Sequence, residues 1–314
     1  MARSSGQSHD TITRMLNGST NSIASANQLL EGLAESAIDK KKALFVFDDT
    51  LLAKIFAKHI EGLDKGFDGS TGQPSLGIRF VTGMVCDDLH SMPMSARQHV
   101  NKALAGINYK TKVALAIELI EQFLPYIFPQ IVLMDAHYFS KEMVEYLMNK
   151  KLKFLMKIPK NRTVVIKGKV AILKDVFKLY KNQKYATQAG IYDGHAVFFH
   201  AVKCDKTKRV LYYIGNQNIT ARQAKKQYAQ RWKIETFYRT AKQSLGLGDC
   251  QSRSSEKQLQ HVLSVMIAYS ASEIYRIKSG FGIIENAIRM LRMLKIPLSI
   301  LLSDRFNRNY PMVA

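Results

Sequence analysis

The sequence predicts an α/β fold carrying a β-rich insertion, on three observations. Two short apolar runs, Ala43–Phe47 and Gln130–Met134, have the length and composition of buried strands, and each stops at aspartate. Helix-period segments alternate with strand-like ones through the first half of the chain. From about 160 to 219 the signals are mostly strand-like, and long helical patterns follow.

Residues 1–40 are rich in Ser, Asn and Thr, with helical segments near His9–Leu16 and Ala24–Ala37. After the Ala43–Phe47 strand comes Asp48-Asp49-Thr50, where an aspartate would either end the strand or N-cap a helix beginning at Leu51. Residues 62–77 hold five glycines and Pro74 and read as a long loop. Ile78–Val85 reads as a strand, Lys110–Phe123 as a helix, Ser140–Lys150 as a helix and Leu152–Ile158 as a strand closed by Pro159. In the insertion the expected strands are Thr163–Ile166, Ala196–Val202 and Val210–Ile214. Thr220 is placed to N-cap one long helix that Gly246 and Gly248 would end. A last amphipathic helix runs from about Glu256 to Lys278, and the tail with Pro297 and Pro311 is ambiguous. The expected divisions are 1–40, 41–159, 160–219, 220–280 and 281–314.

The chain has 314 residues and 46% hydrophobic content, enough for a sizeable core. Its net charge of +21 favours a polyanionic partner. An anionic membrane is disfavoured: no run of 18 apolar residues exists, and the first ten residues are polar, unlike a signal peptide. Cys86, Cys204 and Cys250 lie far apart without a CxxC, which fits a reducing cytosol and argues against zinc or a disulfide framework. The histidines show no ligand spacing, so a metal would be held by carboxylates.

The most informative residues are Tyr228, Arg231, Glu235 and Lys242, at offsets 0, 3, 7 and 14 on the expected long helix. At roughly 100° per residue they fall within a ~60° arc. A carboxylate framed by two cations and a hydroxyl suits a metal-bound phosphate. Asp49 and Asp135, each at the end of a buried-type strand, add carboxylates from separate elements, as two-metal phosphoryl transfer requires. Each has a plainer reading as a cap, a turn residue or a surface glutamate. Trp232 either stacks on an unpaired base or packs in the core. Arg239 lies beside the same arc, and Lys225, Lys226, Lys233, Arg253 and Lys150–Lys160 add charge nearby.

The pattern Tyr-x2-Arg-x3-Glu-x6-Lys resembles the YREK signature of bacterial insertion-sequence DDE transposases. Ala43–Thr50 resembles their first-aspartate strand, with Asp followed by Thr, and points to Asp49. Ile131–Phe139 (IVLMDAHYF) resembles their second motif, Asp-x-x-Tyr-Phe, and points to Asp135. The resemblance covers about residues 40–280 and implies a ribonuclease-H-like mixed sheet with flanking helices, interrupted by a β-rich insertion in the 100-residue gap between Asp135 and Glu235. It implies cut-and-paste transposition, with Asp49, Asp135 and Glu235 holding two Mg²⁺ ions for which Mn²⁺ substitutes. Tyr228, Arg231, Lys242, Trp232 and Arg239 would contact DNA. Implied partners are the terminal inverted repeats, target double-stranded DNA and a second copy in a synaptic homodimer. The implied location is cytoplasmic and nucleoid-associated. Only 48 residues precede Asp49, fewer than such proteins carry, so 1–40 reads as the remnant of a helical DNA-binding region. Two alternatives follow: an inactive, truncated or repurposed transposon-end binder, and a stand-alone ribonuclease-H-like nuclease.

Overall fold

The computed structural model describes residues 21–295 except 70, 181, 206 and 208, so the His9–Leu16 helix and the Pro297–Pro311 tail lie outside the described residues. One mixed sheet organises the chain. Its central part is β4 (Ser91–His99), β3 (Gln73–Cys86), β1 (Leu44–Ala53), β5 (Ile131–Met134) and β6 (Phe154–Lys157), in that spatial order. β1 pairs antiparallel with β3 and parallel with β5, and β5 runs parallel to β6. Helices flank this sheet on both faces, and the architecture is ribonuclease-H-like. The insertion does not form a detached lobe. Its strand β11 (Val210–Gly215) pairs antiparallel with β6 and continues the sheet through β10 (His195–Lys203), β9 (Tyr185–Tyr192), β7 (Thr163–Ile166) and β8 (Lys169–Ile172).

Strand alternation sorts the core into two layers. Phe45, Phe47, Val132, Met134 and Phe154 pack against α2 (Lys112–Phe123) and α3 (Lys141–Asn149). Val46, Leu52, Ile131, Leu133 and Leu155 pack against the helices of the second half. There, α4 (Ala221–Tyr228), α5 (Trp232–Ser244) and α6 (Ser255–Lys278) cover the sheet, joined by α7 (Ile284–Leu294) from the ambiguous tail. The preceding helix α1 (Asn21–Ala37) packs on α6 and β4. No helix among the described residues is long and apolar enough to cross a membrane.

Three local expectations are corrected. β1 does not stop at the aspartates, and neither caps a helix. The strand runs on to Ala53 because Thr50, Leu51 and Leu52 are buried and the long β3 partners it to the end, Ala53 opposite Gly77. Residues 62–77 are not a plain loop but the hairpin of β2 (Asp64–Asp68) with β3. Its glycines serve the geometry: Gly72 has a φ of 69°, and a Cβ at Gly77 would stand 2.4 Å from the Leu52 carbonyl oxygen. β4 carries Pro93, tolerated on a strand paired on one side only, and the register shift at Gly83/Met84 hides its alternation. The expected single helix from 220 is split by a 3₁₀ turn at Ala229–Arg231, although Thr220 and Gln223 form the N-terminal capping box.

His200, in the middle of β10, carries a pH prediction. It is fully buried, its Nδ1 lies 3.0 Å from Thr187 Oγ1, and its Nε2 has no hydrogen-bond partner among the described residues. Burial pushes its pKa down from 6.5 to about 4. Folding therefore favours the neutral ring. That stability is complete above pH 6.5 and is lost as pH falls toward 4, a change on the order of 3 kcal/mol. Denaturant titrations at neutral pH and near pH 5 should show a loss in the wild type that His200→Gln reduces. An equal acid loss in both would remove His200 as its source.

Candidate active site

The site begins with the register of two parallel strands. Phe47 pairs with Met134, so the next residues, Asp48 and Asp135, stand side by side on one face of the sheet. That face also receives α5. Arg231, carried inward by the 3₁₀ turn and buried, donates from Nη1 to Asp48 Oδ2 at 2.6 Å and from Nη2 to Glu235 Oε1. One guanidinium thus joins a strand carboxylate to a helix carboxylate. Tyr238 donates its hydroxyl to the Asp48 carbonyl at 3.0 Å and fixes α5 to β1.

The two strand aspartates differ electrostatically. Burial dominates at Asp48 and lifts its pKa to about 6 despite the Arg231 charge, with the negative neighbours Asp49 and Asp135 adding to the rise. Burial also acts on Asp135, but the Ala136 N–H at 2.6 Å, together with Lys157 and Arg231, outweighs it and holds that carboxyl below its usual value. Tyr228 is buried, lies 4.9 Å from the Tyr213 ring, and donates to Asp135 Oδ1 at 3.5 Å.

Asp49, the residue to which the motif points, faces the other layer. It stands opposite Val81, which belongs to the α2 side of the core, whereas Asp48 stands opposite Thr82. Its partners are Arg79 Nη1 at 2.6 Å and Lys112 Nζ at 2.9 and 3.0 Å. Burial raises its pKa, but Lys112 and Arg79 more than offset that and keep the carboxylate ionised. The geometry thus brings Asp48, not Asp49, to Asp135 and Glu235. A signal for this was present in the sequence. Both β1 and β5 read as four apolar residues and then an aspartate, LFVF-Asp48 and IVLM-Asp135.

A cleft of about 910 Å³ opens over this end of the sheet. Its lining includes Asp48, Asp49 and Glu235, the cations Arg79, Lys112, Arg239 and Lys242, and the aromatic rings of Phe67 and Trp232; Asp135 lies outside the lining. Trp232 is 61% exposed, which removes the core-packing reading. Arg239 is exposed. Lys242 is half-buried, donates to the Leu51 carbonyl at 3.1 Å, and burial lowers its pKa. Arg231 and Tyr228 are both committed to carboxylates rather than open to the cleft.

The donors Asp48, Asp135 and Glu235 are all carboxylate oxygens, the chemistry that Mg²⁺ and Mn²⁺ prefer. Among the described residues no three acidic, His or Cys side chains converge into a ready-made metal cluster, and Arg231 bridges Asp48 and Glu235. A divalent ion at these oxygens would have to displace the guanidinium that bridges two of them.

Residues 90–271 match the family described as transposase DDE domain, a span that includes Asp135 and Glu235. Residues 1–176 match the DDE superfamily endonucleases, a span that includes Asp48, Asp49 and Asp135. No curated protein matches the chain at a significant level. Two family matches, each over more than half of the chain, agree with the ribonuclease-H-like sheet: the chain belongs to the DDE transposases.

Proposed function

We propose that this chain cleaves DNA at transposon ends and joins the freed strand to target DNA, with Asp48, Asp135 and Glu235 as its metal carboxylates. The observation that carries this reading is the placement of Asp48 and Asp135 each one residue beyond the paired Phe47 and Met134 of two parallel strands, with Glu235 tied to Asp48 through Arg231. When bound, two divalent ions supply an activated water or 3′-hydroxyl and stabilise the leaving oxygen. The chain's own groups aim that chemistry. Tyr228 and the Ala136 N–H orient Asp135, and Tyr238 anchors the helix that presents Glu235. Arg239 and Lys242 line the cleft as cations for backbone phosphates, and the exposed ring of Trp232 offers a stacking face for a base. Arg231, which bridges Asp48 and Glu235, would be free to contact phosphate if an ion held by those carboxylates took its place. Two copies on paired ends complete the reaction.

The test uses labelled duplex carrying the repeats that flank the gene, with and without Mg²⁺ or Mn²⁺, wild type beside Glu235→Gln. The expected result is metal-dependent nicking at the repeat end and joined product, both lost in the variant. Cleavage without joining would reduce the reading to a nuclease. Tight end binding without cleavage by folded protein would overturn catalysis in favour of a repurposed binder.

A further inference from the structure

We propose that Arg79 and Lys112 form a second phosphate-binding site for the DNA backbone, on the α2 side of the cleft, and that Asp49 is the positioning residue that holds both. The proposal takes DNA as the ligand and so rests on the reading above. Asp49 accepts from two cations on different elements, Arg79 on β3 and Lys112 at the first position of α2. One carboxylate against two cations leaves a net positive charge, and the amino-terminal end of α2 adds to it. The carboxylate is the buried member: the Asp49 side chain is 7% exposed, against 21% for Arg79 and 24% for Lys112. The cations therefore stand between Asp49 and solvent, and both line the cleft.

The arrangement has features of a built site. A guanidinium has five N–H donors, and Arg79 spends one nitrogen, Nη1, on Asp49. Its other terminal nitrogen lies against Gly66 on β2, close to where a Cβ would stand. Two cations within 3.0 Å of Asp49 oppose a divalent ion there. On the far wall, α5 presents Arg239 and Lys242. The cleft lining thus combines cations from β3 and α2 with cations from α5 and with the carboxylates Asp48 and Glu235, an arrangement suited to gripping the DNA backbone at more than one phosphate. The known motif accounts for the α5 wall only.

The test measures duplex DNA affinity against salt for the full chain without divalent metal, with folding checked by thermal melting. Arg79→Gln and Lys112→Gln should each flatten the log–log salt dependence by about one unit and weaken binding roughly tenfold near 0.1 M salt. Asp49→Asn should steepen it by up to about one unit, and Arg79→Gln in that background should bring it back. In the cleavage assay, Arg79→Gln should raise KM for DNA and leave the metal half-saturation point in place. Unchanged salt slopes in folded Arg79→Gln and Lys112→Gln overturn this site alone. Loss of cleavage with a shifted metal dependence in Asp49→Asn would make Asp49 a metal carboxylate and overturn the positioning role. A wild type that fails to bind duplex at low salt overturns both this site and the transposase reading.

Discussion

Asp48→Asn is expected to lower metal-dependent DNA cleavage by on the order of 10³-fold or more, the equivalent of several kcal/mol of lost transition-state stabilisation. Asp49→Asn should change it by less than about tenfold, its main effect being a steeper salt dependence of DNA binding. The two residues are adjacent and chemically identical, so only their placement separates them. Side chains alternate across a strand, and one position changes the face. Asp48 shares its face with Asp135 and with the helix that carries Glu235. Asp49 shares its face with Lys112 and the α2 layer. Steady-state cleavage at saturating DNA, with Mg²⁺ titrated, separates them. Asp48→Asn should lose turnover and its metal response together, while Asp49→Asn should keep the metal response. The reverse result would mean that the strand is slipped by one residue at the site. The assignment of Arg231 as the bridge between the carboxylates would fall with it.

The same alternation explains what the sequence made legible. Four apolar residues followed by Asp identify β1 and β5 as buried strands, and the helical spacing of Tyr228, Arg231, Glu235 and Lys242 identifies the element that covers them. Those features depend on local composition and period. What local composition cannot supply is register. That Asp48 rather than Asp49 meets Asp135 depends on Phe47 pairing with Met134, a contact between segments 87 positions apart. The continuation of β1 beyond its aspartates was hidden for a related reason. Two mid-strand carboxylates look like a strand end until Arg231 on one face and Arg79 with Lys112 on the other are seen to compensate them. The helical wheel failed at one point only. The 3₁₀ turn at Ala229–Arg231 changes the angular step, so Tyr228 and Arg231 turn toward carboxylates instead of lining the cleft with Trp232 and Arg239. The β2–β3 hairpin was illegible because its glycines, read as breakers, here serve a turn and a tight approach between strands.

Arg231→Ala should be the most destabilising single change at the site in metal-free protein and should make stability strongly dependent on Mg²⁺. The guanidinium is buried and is shared by Asp48 and Glu235, with Asp135 close enough to raise its pKa further; burial alone would have lowered it. Its removal leaves part-buried anions without a counter-charge, a loss of at most about 3–5 kcal/mol, the figure for a fully buried pair. The same removal deletes the one cation that competes with a divalent ion for these oxygens. Binding only to the folded state then returns about 2.7 kcal/mol at an ion concentration of 100 times Kd. The pH response has a definite sign. The folded Asp48 carboxyl has a pKa of about 6 against 3.8 for an unperturbed one, so the folded state binds its proton more tightly. Stability from this group is complete below 3.8 and is lost as pH rises through 6. Without Arg231 the folded pKa moves higher still, and that loss extends toward neutral pH. Chemical denaturation near pH 5 and near pH 7.5, with and without Mg²⁺, reads every part of this. The variant should be weakest at the higher pH without metal, gain on acidification, and gain more than the wild type from Mg²⁺. A variant that is destabilised but indifferent to Mg²⁺ would show that the three carboxylates do not hold the ion together. A variant as stable as the wild type would show that Arg231 does not compensate them.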